Sequence, residues 1–238
     1  MIASIKKISS PSQRVKIFSI LSLSTAFCIA MVAYRIYYSN VDLSSLRSAE
    51  DIASSRGYTF IFLVWNLFLA WIPYWIAITI NGCYQRTRSK MLAFGMIIAW
   101  LLFFPNAPYI LTDLLHLHNR HPVPFWYDLM LIVSFAWTGL MLGFISLHEV
   151  RLFIKKHYSE KGSWLFTFGA TILCSYGIYL GRCLRWNTWD ILTKPHLLIQ
   201  DIFLSVTDSM AINITVIFSV FLLLGYMTLN ALIGKSEK

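Results

Sequence analysis

The chain has 238 residues, of which 57% are hydrophobic and only 13% are charged. A soluble domain carries roughly twice that charged fraction, and the repeated long apolar runs point instead to an all-α integral membrane protein built as a bundle of six transmembrane helices. The net charge of +9 does not signal nucleic acid, because the basic residues fall in short loops between apolar runs, where they act as orientation signals.

The first apolar run, Ile17 to Ala33, follows Lys6, Lys7, Arg14 and Lys16 and so resembles a secretory signal. No A-x-A cleavage pattern follows it, Phe27 precedes Cys28 where a lipoprotein signal needs a small residue, and Arg35 with Tyr37 and Tyr38 closes a run long enough to span. The predicted spans are 17–38, 58–80, 91–111, 126–148, 164–184 and 210–232. They form one transmembrane domain, 17–232, between a basic cytoplasmic N-terminus, 1–16, and a cytoplasmic tail, 233–238. In the second span Pro73 predicts a kink, and Asn66 is an intramembrane polar residue expected to hydrogen-bond to a neighbouring helix.

The third span runs into Pro105-Asn106-Ala107-Pro108. Each proline removes a backbone donor and disfavours helix at the residue before it, so Ala107 is expected to leave helical geometry, with Asn106 able to bridge freed backbone groups. Irregular backbone at membrane depth survives only against protein or a polar cavity, so this break points at a site. With helix resumed at Tyr109, Asp113 and His116 stand at i and i+3 on one face. An aspartate beside a histidine can orient an imidazole for acid/base work, or the two can hold a divalent metal such as zinc. The plainer alternative is a proline-terminated helix with a hydrogen-bonded Asp–His pair. His118 and His121 extend the run but rank below His116.

Asp128 stands where the fourth span begins, a position that capping and the helix dipole also favour. It is one loop from His116, which makes it a candidate partner. Further along, Gly139 and Gly143 form a G-x-x-x-G, and Ser134 and Thr138 are i and i+4; both read as helix-packing devices. In the fifth span Gly177, Gly181 and Arg185 fall on one stripe, expected to carry Arg185 inward, with Arg182 about a hundred degrees away. These arginines, with Trp186, Asn187, Trp189 and Asp190, form a dense polar-aromatic group. Ion pairing with Asp113 and Asp128 is one role, and clamping an anionic headgroup is another. Thr193 and Pro195 mark a helix start. Asp201, Ser205 and Asp208 then follow at i, i+4 and i+7, as in an amphipathic interfacial helix whose acidic face is expected to meet water. The cysteines Cys28, Cys83, Cys174 and Cys183 show neither a disulfide framework nor metal spacing.

Orientation follows from the basic residues. Alternate segments carry thirteen Lys/Arg (Lys6 to Lys16, Arg86 to Lys90, Arg151 to Lys161, Lys235 and Lys238), against six at Arg47, Arg56, Arg120, Arg182, Arg185 and Lys194. The positive-inside rule places both termini in the cytoplasm of a bacterial plasma membrane protein, and polar chemistry on the extracytoplasmic face. Only His148 and His157 fall on the inner side.

Three segments carry a resemblance: FPNAPYILTDLLHL (104–117), WYDLMLIVSFAWTGL (126–140) and GRCLRWNTWDIL (181–192). They resemble a bacterial family of multi-pass membrane proteins known only as a domain of unknown function (thirteen-sixty-one). The resemblance runs from the third span to the sixth and implies a bacterial integral membrane protein, with no reaction, substrate or catalytic residue attached. No nucleotide-binding, zincin, serine-hydrolase or C-x-x-C motif and no internal repeat is present.

Two functional readings remain, with a bland third. One is a membrane-embedded enzyme acting on a lipid or lipid-linked substrate, with catalytic Asp113, His116 and Asp128 and substrate-binding Asn106, Arg182, Arg185, Trp186, Asn187 and Asp190. The second is a transporter or lipid-handling protein with an outward-facing pocket. The third is a non-catalytic assembly or scaffold protein whose polar residues form an internal ion-pair network. The bilayer is the one assured partner, and the oligomeric state is not legible.

Overall fold

The structure, a computed structural model, describes residues 11–39, 60–118 and 123–235. Within these the chain is helical throughout: α1 Pro11–Tyr38, α2 Ile61–Thr87, α3 Lys90–Phe103, a single turn α4 Asn106–Tyr109, a 3-10 helix Ile110–His116, α5 Phe125–His157, α6 Glu160–Arg182, the short α7 Asp190–Thr193, α8 Pro195–Ser205 and α9 Ser209–Lys235. Among the described residues six segments are long and apolar enough to cross a membrane, at Ser12–Tyr38, Ile61–Thr87, Lys90–His116, Phe125–His157, Glu160–Arg182 and Ser209–Ile233. The chain is a multi-pass membrane protein, and each predicted span coincides with one of these. His121, Arg47, Arg56, Arg120, Lys6, Lys7 and Lys238 lie outside the described residues.

The helices group into two compact units. The first comprises residues up to Trp71 together with Asn106–Leu142. Its core is apolar, with Cys28, Val32, Leu63, Leu67, Ile110, Leu131 and Phe135 all buried. Small polar side chains stitch α1 into it. Ser24 and Thr138 share a hydrogen bond of 2.6 Å, Thr138 in turn back-bonds to the Ser134 carbonyl, and the Trp71 indole donates to Thr25 at 3.1 Å. Thr138 therefore serves helix packing as expected, while the Ser134 hydroxyl bonds within its own helix, to the Met130 carbonyl.

The second unit comprises Ile72–Pro105 and Gly143–Lys238. Here α6 and α9 pack against one another. One face of α6 carries Ser163, Thr167, Thr171 and Ser175 at four-residue intervals, all buried. The Thr167, Thr171 and Ser175 hydroxyls donate to the carbonyls four residues back, which satisfies them without a partner helix and leaves a narrow surface for close packing. Gly225 of α9 is needed for a similar reason, since a Cβ there would stand 2.7 Å from the Phe144 ring.

The break in the third span differs from its sequence-based description. Helix α3 stops at Phe103, the Phe104 N–H closes onto the Trp100 carbonyl, and helix resumes already at Asn106. Ala107 is part of that turn. The expectation that Pro108 expels it from helical geometry fails because Pro108 sits in the first turn of the new helix. A first-turn amide has no intrahelical acceptor to lose. The chain then tightens into the 3-10 helix that carries Asp113 and His116.

Candidate functional site

Asn106, Asp113, His116 and Asp128 belong to the first unit; Arg182, Arg185, Trp186, Asn187 and Asp190 belong to the second.

In the first unit Asp113 and His116 are i and i+3 in a 3-10 helix, a geometry in which such side chains eclipse. Asp113 is buried to 1% exposure, and its Oδ2 accepts from Asn66 Nδ2 at 2.8 Å. His116 is exposed, with its ring edge-on to Phe62 at 5.4 Å. Phe62 and Asn66 are themselves one turn apart on α2, so one face of α2 meets one face of the 3-10 helix twice. Asn66 thus makes the interhelical hydrogen bond expected of it. Behind this segment, a Cβ at Gly139 would stand 2.6 Å from the Ala107 carbonyl. The first glycine of the G-x-x-x-G therefore accepts the backbone of the resumed helix.

Asp128 has a partner that the sequence did not suggest. Arg35 Nε donates to Oδ1 at 2.9 Å and Arg35 Nη2 to Oδ2 at 3.0 Å, a bidentate pair with both side chains 1% exposed. Phe60 lies against the guanidinium, 5.2 Å from carbon to ring centroid. Phe60 is fully buried at φ 54°, a left-handed conformation that non-glycine residues rarely adopt. Burial and the arginine contact offset that strain. In the sequence Arg35 stands only as the end of an apolar run. The available signal was its place inside the run's last turn rather than in a loop.

In the second unit, helix α6 ends at Arg182, three residues before Arg185. Arg185 adopts φ 60°, the Trp186 N–H reaches back to the Leu180 carbonyl, and the Arg185 side chain is exposed. The glycine stripe therefore does not carry Arg185 inward, because the helix that would have delivered it has already terminated in a left-handed residue. Gly177 has a different neighbour, the Pro105 ring, 2.8 Å from where a Cβ would be. Arg182 is half-buried. Asn187 and Asp190 close a local turn in which the Asn187 N–H donates to Asp190 Oδ2 at 2.8 Å. That amide, more than any other group, holds the Asp190 carboxyl below its usual range.

The polar face expected of this segment is only partly open to water: Ser205 is buried, Asp201 and Asp208 are half-buried, and Asp208 lies in the turn after α8. Asp201 accepts from the Trp186 indole at 2.8 Å, the Ser205 and Tyr176 hydroxyls share a bond of 2.7 Å, and Asp208 accepts from the Tyr179 hydroxyl at 2.9 Å. These aromatic partners come from α6 and the loop after it. Asp208 also accepts from the Met210 N–H at 3.1 Å at the start of α9, the principal reason its carboxyl lies below the usual range.

A second polar centre, missed from sequence, lies at the basic end of α5. Arg151 is 4% exposed; its Nη1 donates to Asn230 Oδ1 at 2.7 Å and to the Tyr226 hydroxyl at 3.4 Å, and its Nη2 to Glu160 at 2.8 Å. The guanidinium stacks 3.9 Å over the Trp164 ring. Glu160 also pairs with Lys155. The Tyr226 hydroxyl, which accepts from Arg151, also lies 3.2 Å from His148 Nδ1, within hydrogen-bond reach. Polar residues are therefore not confined to the Asp113 end of the spans. The signal was helical spacing: His148 and Arg151 are i and i+3, and Tyr226 and Asn230 are i and i+4.

Among the described residues no three His, Cys, Asp or Glu side chains gather to hold a metal ion. Residues 65–224 match the family model described as "Protein of unknown function (DUF1361)". Neither the curated proteins nor the solved structures contain a match to the chain.

Proposed function

Because the chain belongs to the DUF1361 family, whose description carries no reaction to inherit, we propose from its own geometry that it is a bacterial plasma-membrane enzyme acting on a lipid or lipid-linked substrate at the extracytoplasmic face. One observation carries the reading: Asp113, buried and oriented by the Asn66 amide, lies one 3-10 turn from His116, whose imidazole is exposed. A buried carboxylate behind an accessible imidazole is the arrangement that acid/base transfer needs. His116 would exchange the proton with substrate, and Asp113 would set its orientation. Both termini are then cytoplasmic, as the distribution of Lys and Arg supports. Asp128 is better suited to structure than to catalysis, since Arg35 engages both of its oxygens and neutralises it. Arg182 and Arg185 remain the groups suited to an anionic headgroup.

The same ion pair favours a second reading, an assembly or scaffold protein whose buried charges fix helix pairing. Lipid profiling separates the two. In a strain lacking the native gene, His116→Ala and Asp113→Asn should reach wild-type levels in the membrane yet leave the envelope lipid profile of the deletion, as Asp128→Asn with Arg35→Gln should not. Wild-type profiles in both single variants would overturn the enzyme reading in favour of the scaffold.

A further inference from the structure

Between α1 and the start of α5 the first unit carries an open groove of about 540 Å³, well within the range of sites for small molecules. Its lining changes along its length. Toward the middle of α1 it is purely apolar, formed by Phe27, Ala30 and Met31. Where α1 ends and α5 begins it becomes aromatic, with Tyr34, Tyr38, Trp126 and Tyr127. From Phe27 to Tyr38 the helix rises roughly 16 Å, a length suited to an alkyl chain rather than to a compact solute. The aromatic end is built, not incidental. Tyr34 stacks on Tyr38 at 6.0 Å and leans on Tyr127 at 5.5 Å, while the Tyr127 hydroxyl is committed to the Met31 carbonyl at 2.9 Å, which fixes that ring. Tyr34, Tyr38 and Trp126 keep 53%, 47% and 63% of their surface exposed.

Among the described residues no lysine, arginine, aspartate or glutamate lines the groove. Asp128, next in sequence to Tyr127, is sealed beneath it by Arg35. The groups these residues offer a headgroup are ring faces. Clustered tyrosine and tryptophan faces select ammonium cations. We infer that this groove binds one phospholipid, with its acyl chain along Phe27 to Met31 and an ammonium-bearing headgroup, choline or ethanolamine, against Tyr34, Tyr38 and Trp126. The site is separate from Asp113 and His116 and stands whether or not those residues do acid/base work.

The test is native mass spectrometry of the full-length protein released from vesicles of equal parts phosphatidylcholine, phosphatidylethanolamine and phosphatidylglycerol. The wild type should retain one phospholipid, with choline or ethanolamine headgroups favoured over glycerol on the order of tenfold. Tyr34→Leu with Trp126→Leu should reduce that preference to within about twofold, while Tyr34→Phe, which keeps the ring, should preserve it. Equal retention of phosphatidylglycerol, or a preference that survives loss of both rings, would overturn the proposal. So would a dimer whose second copy excludes lipid from the groove. Unchanged lipid profiles in the His116 variant bear on the enzyme reading alone.

Discussion

Arg35 and Arg151 are both buried arginines on long helices, and they are held in opposite ways. Arg35 has one counter-ion, engages both of its oxygens, and shares with it a site from which water is shut out. Arg151 spreads its donors over a carboxylate, an amide, a phenol and an indole ring from two other helices. Its carboxylate, Glu160, is 47% exposed and shared with Lys155. The first centre is electroneutral and brittle; the second carries an unbalanced positive charge and is redundant. A sealed pair gives specificity to helix pairing, because neither partner tolerates losing the other. A distributed hub gives tolerance, because water can replace its exposed member.

The sharpest way to break this comparison is to remove one acid from each centre. Asp128→Ala should destabilise the protein by about 3–5 kcal/mol, because it strands a buried guanidinium, whereas Arg35→Met with Asp128→Leu should recover most of that loss. Glu160→Gln should cost about 1 kcal/mol or less. Unfolding of the detergent-solubilised protein, followed by chemical denaturation, reads all three. Equal losses for Asp128→Ala and Glu160→Gln would mean that the two centres are not different in kind.

Much of the architecture was legible in the sequence because apolar run length is a one-dimensional quantity. The six spans needed nothing else. The two arginine centres were not legible, for a physical reason: each depends on which residues of distant helices meet. Arg35 and Asp128 are 93 positions apart, and Arg35 at the end of an apolar run is indistinguishable from an anchor that snorkels to the interface. Arg151 was absorbed into the charge count that sets orientation. With α8 the periodicity of Asp201, Ser205 and Asp208 was visible, but nothing in that pattern said that Trp186, Tyr176 and Tyr179 would face it. Asp113 and His116 were legible as a pair because their spacing is local.

A smaller effect separates the two glycine contacts. At Gly139 a methyl group would meet the Ala107 backbone carbonyl, which the resumed helix holds in place. At Gly177 it would meet the edge of the Pro105 ring, which can pucker away. Gly139→Ala should therefore cost about 1–3 kcal/mol and Gly177→Ala less. At Gly82 nothing lies within 4 Å of a Cβ, so Gly82→Ala should be stabilising through helix propensity. The same denaturation assay checks the order. If Gly139→Ala proves as harmless as Gly82→Ala, the broken segment does not rest on α5, and the position of Asp113 loses its support.

The smallest expected effect is one of pH, and it tests whether α8 is held by its polar face. The Met210 amide and then the Tyr179 hydroxyl keep the folded Asp208 carboxyl below its usual range. Stability from those bonds is therefore fully present above the unfolded value near pH 4 and is lost as pH falls through the depressed folded value. Amide hydrogen exchange in α8, corrected for the intrinsic pH dependence of exchange, should thus quicken as pH falls below about 4 in the wild type. In Asp208→Asn, where no carboxyl titrates, α8 should start less protected at neutral pH and show a shallower acid step. An α8 indifferent to both pH and Asp208→Asn would mean that its apolar residues alone hold it in place.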